Sequence, residues 1–113
     1  MTQKFHCLGA VETSYGQAQV KLTRYPKGGA LAVLLESDEG EPLATFSVNL
    51  RPYGVSTAPH EFCAKTYEEN SDLVRPLLGS GWFEVTERCA TAGYTTVPIW
   101  RLTNPEGVLA QLQ

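Results

Sequence analysis

The chain has 113 residues, 42% of them hydrophobic and 19% charged, which is enough apolar content for one core and too little length for two. Nine basic against twelve acidic side chains give a formal charge of -3, so the basic excess needed for sequence-independent nucleic-acid binding is missing. The longest apolar run, residues 30–35, falls far short of the ~20 residues that span a bilayer.

Residues 1–7 carry no apolar stretch of signal-peptide length. The odd count of three cysteines, Cys7, Cys63 and Cys89, fits free thiols in a reducing compartment. The expectation is a soluble cytoplasmic protein with no membrane contact.

In chain order, residues 4–12 predict a short, mostly apolar strand, closed by a turn at 13–16 in which Gly16 supplies a positive φ. Residues 17–23 alternate with period two, which sends Ala18, Val20 and Leu22 to a core and Gln19, Lys21 and Thr23 to water. A Pro26-Lys27-Gly28-Gly29 turn leads to residues 30–36, apolar on both faces and hence a central, doubly covered strand. After a turn at 38–42, residues 43–50 alternate again, with Ala44, Phe46, Val48 and Leu50 on the core face. Four strands joined by short turns read as an antiparallel meander.

The second half is less regular. Residues 51–59 hold Pro52, Gly54 and Pro59 and read as a loop, and 60–67 as a strand or a helix approach. Asn70, Ser71 and Asp72 are helix-capping types ahead of Leu73, Val74, Leu77 and Leu78. Pro76 limits that helix to about two turns, ended by Gly79 or Gly81. Residues 82–89 and 95–103 predict two further strands. Trp82 and Phe83 point to opposite faces, leaving Trp82 or Trp100 exposed or covered by the helix. Pro98 requires its strand to be an edge or to carry a bulge. The fold class is α+β: mostly antiparallel sheet, with one short helix on one face. The organisation is a single domain over residues 1–113, with a core at about 4–103 and a C-terminal tail at 104–113.

His6, Cys7, His60, Cys63 and Cys89 are the residue types zinc accepts. No C-x-x-C knuckle is present, and His6 and Cys7 would point to opposite faces of one strand. The cysteines therefore read as small buried hydrophobes, and no metal or cofactor is expected. A nucleophile–base pair of Cys63 and His60 lacks any supporting motif. Neither Gly28-Gly29 nor Gly79-Ser80-Gly81 has phosphate-loop spacing. Two charged groups remain as surface candidates. One is the acidic turn with Glu36, Asp38, Glu39 and Glu41; the other is Lys65, Tyr67 and Glu68 ahead of the helix.

Three stretches carry a resemblance. They are Gly40-Glu41-Pro42-Leu43-Ala44-Thr45-Phe46-Ser47-Val48-Asn49-Leu50, Phe62-Cys63-Ala64-Lys65-Thr66-Tyr67-Glu68-Glu69-Asn70, and residues 93–103 with Val97-Pro98 inside. In this order they resemble a small bacterial family, a domain of unknown function typical of plasmids and conjugative transposons. The resemblance implies a mobile-element setting and a host-protein partner, as for inhibitors of restriction or CRISPR effectors. The resulting expectation is a non-enzymatic protein-binding module whose contacts are Glu36, Asp38, Glu39, Glu41, Lys65, Tyr67 and Glu68, with no direct nucleic-acid binding. The competing readings are a small thiol- or metal-dependent enzyme using Cys63 and His60, and a structural module that forms homo-oligomers through a sheet edge.

Overall fold

The computed structural model describes residues 4–112; residues 1–3, where the signal-peptide reading begins, and Gln113, at the end of the expected tail, lie outside them. Strands β1 (His6–Thr13), β2 (Gly16–Arg24), β3 (Leu31–Ser37) and β4 (Pro42–Thr45) form an antiparallel sheet in the order β1-β2-β3-β4. This is the expected meander. Strands β5 (Ser47–Val48), β6 (Glu61–Ala64), β7 (Phe83–Ala92) and β8 (Thr95–Leu102) form a second antiparallel sheet in the order β5-β6-β8-β7. The helices are α1 (Val74–Gly79), entered through a 3-10 segment Glu68–Leu73, and α2 (Pro105–Gln111). The class is α+β with two short helices rather than one. No helix among the described residues is long and apolar enough to cross a membrane.

The alternation in β2 falls as read: Ala18, Val20 and Leu22 are fully buried, with Val20 opposite Leu35 and Leu22 opposite Val33 of β3. They share one core with Phe46, between β4 and β5, with Phe62, Phe83 and Trp100 of the second sheet, and with Leu73 and Leu77 of the helical segment. Phe46 and Trp100 lie 4.9 Å apart, and Phe62 meets Phe83 edge-on at 5.5 Å. Such aromatic pairs add about 0.5–1.5 kcal/mol each beyond area burial. Thr23 departs from the pattern. It is buried because its hydroxyl donates to the Lys4 carbonyl at 2.5 Å.

Residues 43–50 do not make one strand. Leu34 pairs with Thr45 in the first sheet, whereas Val48 pairs with Cys63 in the second. At the crossing, Phe46 N–H donates to Val33 O, and Phe46 O accepts from Lys65 N–H. Ala44 and Phe46 face the main core, while Val48 and Leu50 join a second small cluster with Cys63, Ala90, Val97 and Ile99.

The Pro98 strand is not an edge: β8 lies between β6 and β7. Nor does it carry the bulge, which lies opposite Pro98 on its partner β7. The β7 register shifts between Val85 and Cys89, and Thr86 Oγ1 donates to Ile99 O at 2.7 Å, satisfying a carbonyl that the interrupted ladder leaves open. Neither tryptophan is exposed. Trp100 is buried, and Trp82 is half-buried with its ring against Gly9, where a Cβ would sit 2.9 Å from it. Residues 104–112 are not a tail. Asn104-Pro105-Glu106 opens α2, which brings Val108, Leu109 and Leu112 onto the main core.

Candidate functional site

Where the chain passes from one sheet to the other, the sheets part and leave a groove. One section, about 430 Å³, is lined by Tyr25, Ser47, Asn49, Lys65, Tyr67 and Asn70 among others. A second, about 420 Å³, shares Val48, Asn49 and Tyr67 with the first and continues to Tyr53 and the β7–β8 turn.

Each polar wall residue is held by the fold. Ser47 Oγ accepts the Val33 N–H at 2.9 Å and lies 2.8 Å from the Tyr25 hydroxyl. Burial pushes the Tyr25 phenol up, partly offset by the hydrogen bond with Ser47, so this phenol stays protonated at neutral pH. Asn49 accepts the Arg51 N–H through Oδ1, as expected of a residue entering a loop, and donates to Lys27 O at 3.1 Å. Asn70 does not cap the helix. It is buried, and its Nδ2 donates to the Thr45 carbonyl at 2.8 Å, tying the 3-10 segment to the edge of the first sheet. Lys65 pairs with Glu69 at 3.0 Å and lies 5.9 Å from the centre of the Tyr67 ring. The hydrogen bond with Glu69 raises the Lys65 amine, and the Glu69 carboxyl is lowered by its own backbone amide and by Lys65.

The fold separates the expected contacts into two groups joined by β4. Lys65 and Tyr67 line the groove; Glu68 is exposed beside them in the left-handed region, φ 57°. Glu36, Asp38, Glu39 and Glu41 stand at the β3–β4 turn, from which β4 leads to the groove wall at Leu43, Ala44 and Thr45. Glu36 is engaged by Lys21 at 2.5 Å, and that contact raises the Lys21 amine. Asp38 accepts from Gln19 Nε2 at 3.0 Å. The Ser37 hydroxyl accepts the N–H groups of Glu39 and Glu41, which orders the turn and leaves both glutamates exposed.

Tyr53 and Tyr94 were absent from the sequence-derived contact set. Tyr53 is 73% exposed on the groove wall, and Tyr94 projects fully from the turn whose Gly93 and Thr95 form the opposite wall. Their positions after Pro52 and Gly93, in turns where apolar burial has no purpose, are the signal that could have found them.

The thiols divide. Cys7 and Cys89 are exposed, contrary to the reading of all three as buried hydrophobes, and Cys63 is buried in the second cluster. Burial pushes the Cys63 thiol up, away from the thiolate a nucleophile needs. Cys63 lies within β6, whereas His60 sits in the turn that precedes the strand. Among the described residues, no three His, Cys, Asp or Glu side chains converge as metal ligands.

Every sheet edge carries something that hinders pairing with another chain. Asn70 occupies the Thr45 carbonyl on β4, α1 packs against β1, β5 has two residues, and β7 is bulged and bears Glu84, Glu87 and Arg88. Comparison of the chain with protein-family models, curated proteins and solved structures finds no match.

Proposed function

We propose that the chain is a non-enzymatic protein-binding module that docks a basic partner surface along β4, from the acidic turn to the Tyr67 groove. The observation that carries this reading is the exposure of Tyr53 on the wall of a groove already lined by Tyr67, with Tyr94 exposed at the turn whose Gly93 and Thr95 line the same groove. Tyrosine supplies large contact area at low entropic cost and is enriched at binding hot spots. The exposed carboxylates of Asp38, Glu39 and Glu41 at the other end favour a positively charged partner through complementary potential.

A nuclease channel that binds nucleic acid is such a surface. Together with the sequence resemblance, this supports a mobile-element inhibitor of a host defence nuclease, of anti-CRISPR or anti-restriction type. The reading of a thiol enzyme using Cys63 and His60 has less support, since the Cys63 thiol is buried.

The test is cleavage of a DNA target by host guide-RNA-directed and restriction nucleases with the protein added. Inhibition by wild type, weakened about tenfold by Tyr67→Ala with Tyr53→Ala and separately by Glu39→Lys with Glu41→Lys, is the expected result. Inhibition unchanged by both pairs would move the contact elsewhere. No inhibition, together with turnover of a small molecule, would overturn the reading.

A further inference from the structure

At the end of the first sheet opposite the acidic turn, the β2–β3 turn and the loop of residues 55–59 enclose a cleft of about 410 Å³. Arg24 and Arg51 both line it, with Gly28, Thr57 and Pro59, and among the described residues no acidic side chain does. Glu61, which accepts the Ala58 N–H behind this loop, is neutralised by its ion pair with Arg88. The cleft therefore concentrates positive charge on a chain whose total is -3.

Arg24 is anchored, with Nη1 donating to the carbonyls of Gly29 at 3.3 Å and Pro59 at 3.4 Å, so its contribution is mainly charge. Arg51 is seated differently. Its aliphatic stem lies against Gly28, φ 85°, where a Cβ would collide with it. The Arg51 Nε is buried and has no hydrogen-bond partner among the described residues. A buried, charged donor is stable only with an acceptor. Guanidinium N–H groups bind oxyanions through charge-assisted hydrogen bonds, and an arginine never loses its proton near neutral pH.

We propose that this cleft binds a small oxyanion, a phosphate or a carboxylate, through the guanidinium of Arg51, with Arg24 supplying the second positive charge. The site is distinct from the Tyr67 groove, and its test requires no partner protein.

The experiment is a 1H–15N NMR titration of the full chain with inorganic phosphate and, separately, with acetate, each against sodium chloride at matched ionic strength. Saturable shifts confined to the amides of Gly28, Gly29, Thr57 and Ala58 and to Arg51 Nε–H are expected. Tighter binding of phosphate identifies a phosphate site, and equal or tighter binding of acetate a carboxylate site. Arg51→Met keeps the stem against Gly28 and should weaken binding about tenfold, whereas Arg51→Lys, which retains the charge, should weaken it about threefold. An otherwise unchanged spectrum reports that each variant is folded. Shifts that follow ionic strength without saturating for either anion, or saturation unaltered in Arg51→Met, overturn the proposal.

Discussion

Replacing Asn70 tests the tie between the helical segment and the sheet that shapes the groove. The side chain is 2% exposed, and its Nδ2 reaches the Thr45 carbonyl at 2.8 Å. Truncation to alanine removes a hydrogen bond worth about 1 kcal/mol net. Thr45 itself is exposed, so water can reach the abandoned carbonyl, and only part of the usual penalty for an orphaned acceptor applies. The expected loss for Asn70→Ala is therefore about 1–2 kcal/mol, or roughly 4–8 °C in Tm for a domain of this size. Asn70→Asp is the sharper variant. It has the same shape, but as a carboxylate it cannot donate, and it sets a buried charge against a carbonyl. A loss of about 3 kcal/mol at pH 7 follows; burial raises this carboxyl above the ordinary carboxylate range, so the loss is recovered as pH falls through that raised value and the protonated carboxyl donates again. Urea and thermal denaturation followed by circular dichroism measure both. An Asn70→Asp protein at least as stable as Asn70→Ala at pH 7 would refute this role for the donor.

The remaining expectations concern groups whose surroundings are equally specific. A thiol reagent at neutral pH should modify Cys7 and Cys89 rapidly in the native protein and Cys63 only after denaturant is added; three fast-reacting thiols would contradict the burial of Cys63. Glu87 holds φ 71° at the β7 bulge, a left-handed conformation that favours glycine, so Glu87→Gly should raise stability by about 0.5–1 kcal/mol in a urea melt, and destabilisation would refute strain at that residue. The Glu69 carboxyl is held low by its own backbone amide and by Lys65, so any stability it contributes is present above the ordinary carboxylate range and fades as pH falls through its depressed value. NMR titration should show its midpoint rising toward the ordinary range in Lys65→Met, and an unmoved midpoint would mean that the ion pair does not act in solution.

Much of the first sheet was legible because one of its faces is buried and period-two alternation reports that directly. Ala18, Val20 and Leu22 needed no further information. The same signal concealed the break after Thr45. Ala44, Phe46, Val48 and Leu50 alternate without interruption, yet the first two enter one core and the last two another. Alternation records which side of the strand is covered and not which sheet covers it. The terminal helix carried local signals, with Pro105 in its first turn, Glu106 after it, and Leu112 following Val108 and Leu109. Gly107 and the short length weakened them. Asn70 has the composition of a cap but acts through a carbonyl 25 positions away, and the meeting of Arg24 with Arg51 depends on tertiary placement as well. Local pattern contains neither.

The groove and the break in the strand have a common origin. A segment that pairs with Leu34 at Thr45 and with Cys63 at Val48 must turn from one sheet plane into another within three residues. Phe46 fills the core side of that bend. On the outer side the sheets diverge, and the polar groups there, from Tyr25, Ser47, Asn49 and Asn70, are committed to backbone carbonyls, amides and each other. Apolar side chains at those positions would close the gap only by leaving the Thr45 carbonyl and the Val33 and Arg51 amides without these partners. The opening is thus a consequence of how the two sheets are joined, and its polar wall residues Ser47, Asn49 and Asn70 are held in place by hydrogen bonds to the backbone. Backbone hydrogen bonds that fix Ser47, Asn49 and Asn70 in the free protein reduce the ordering entropy that covering this part of the groove would cost.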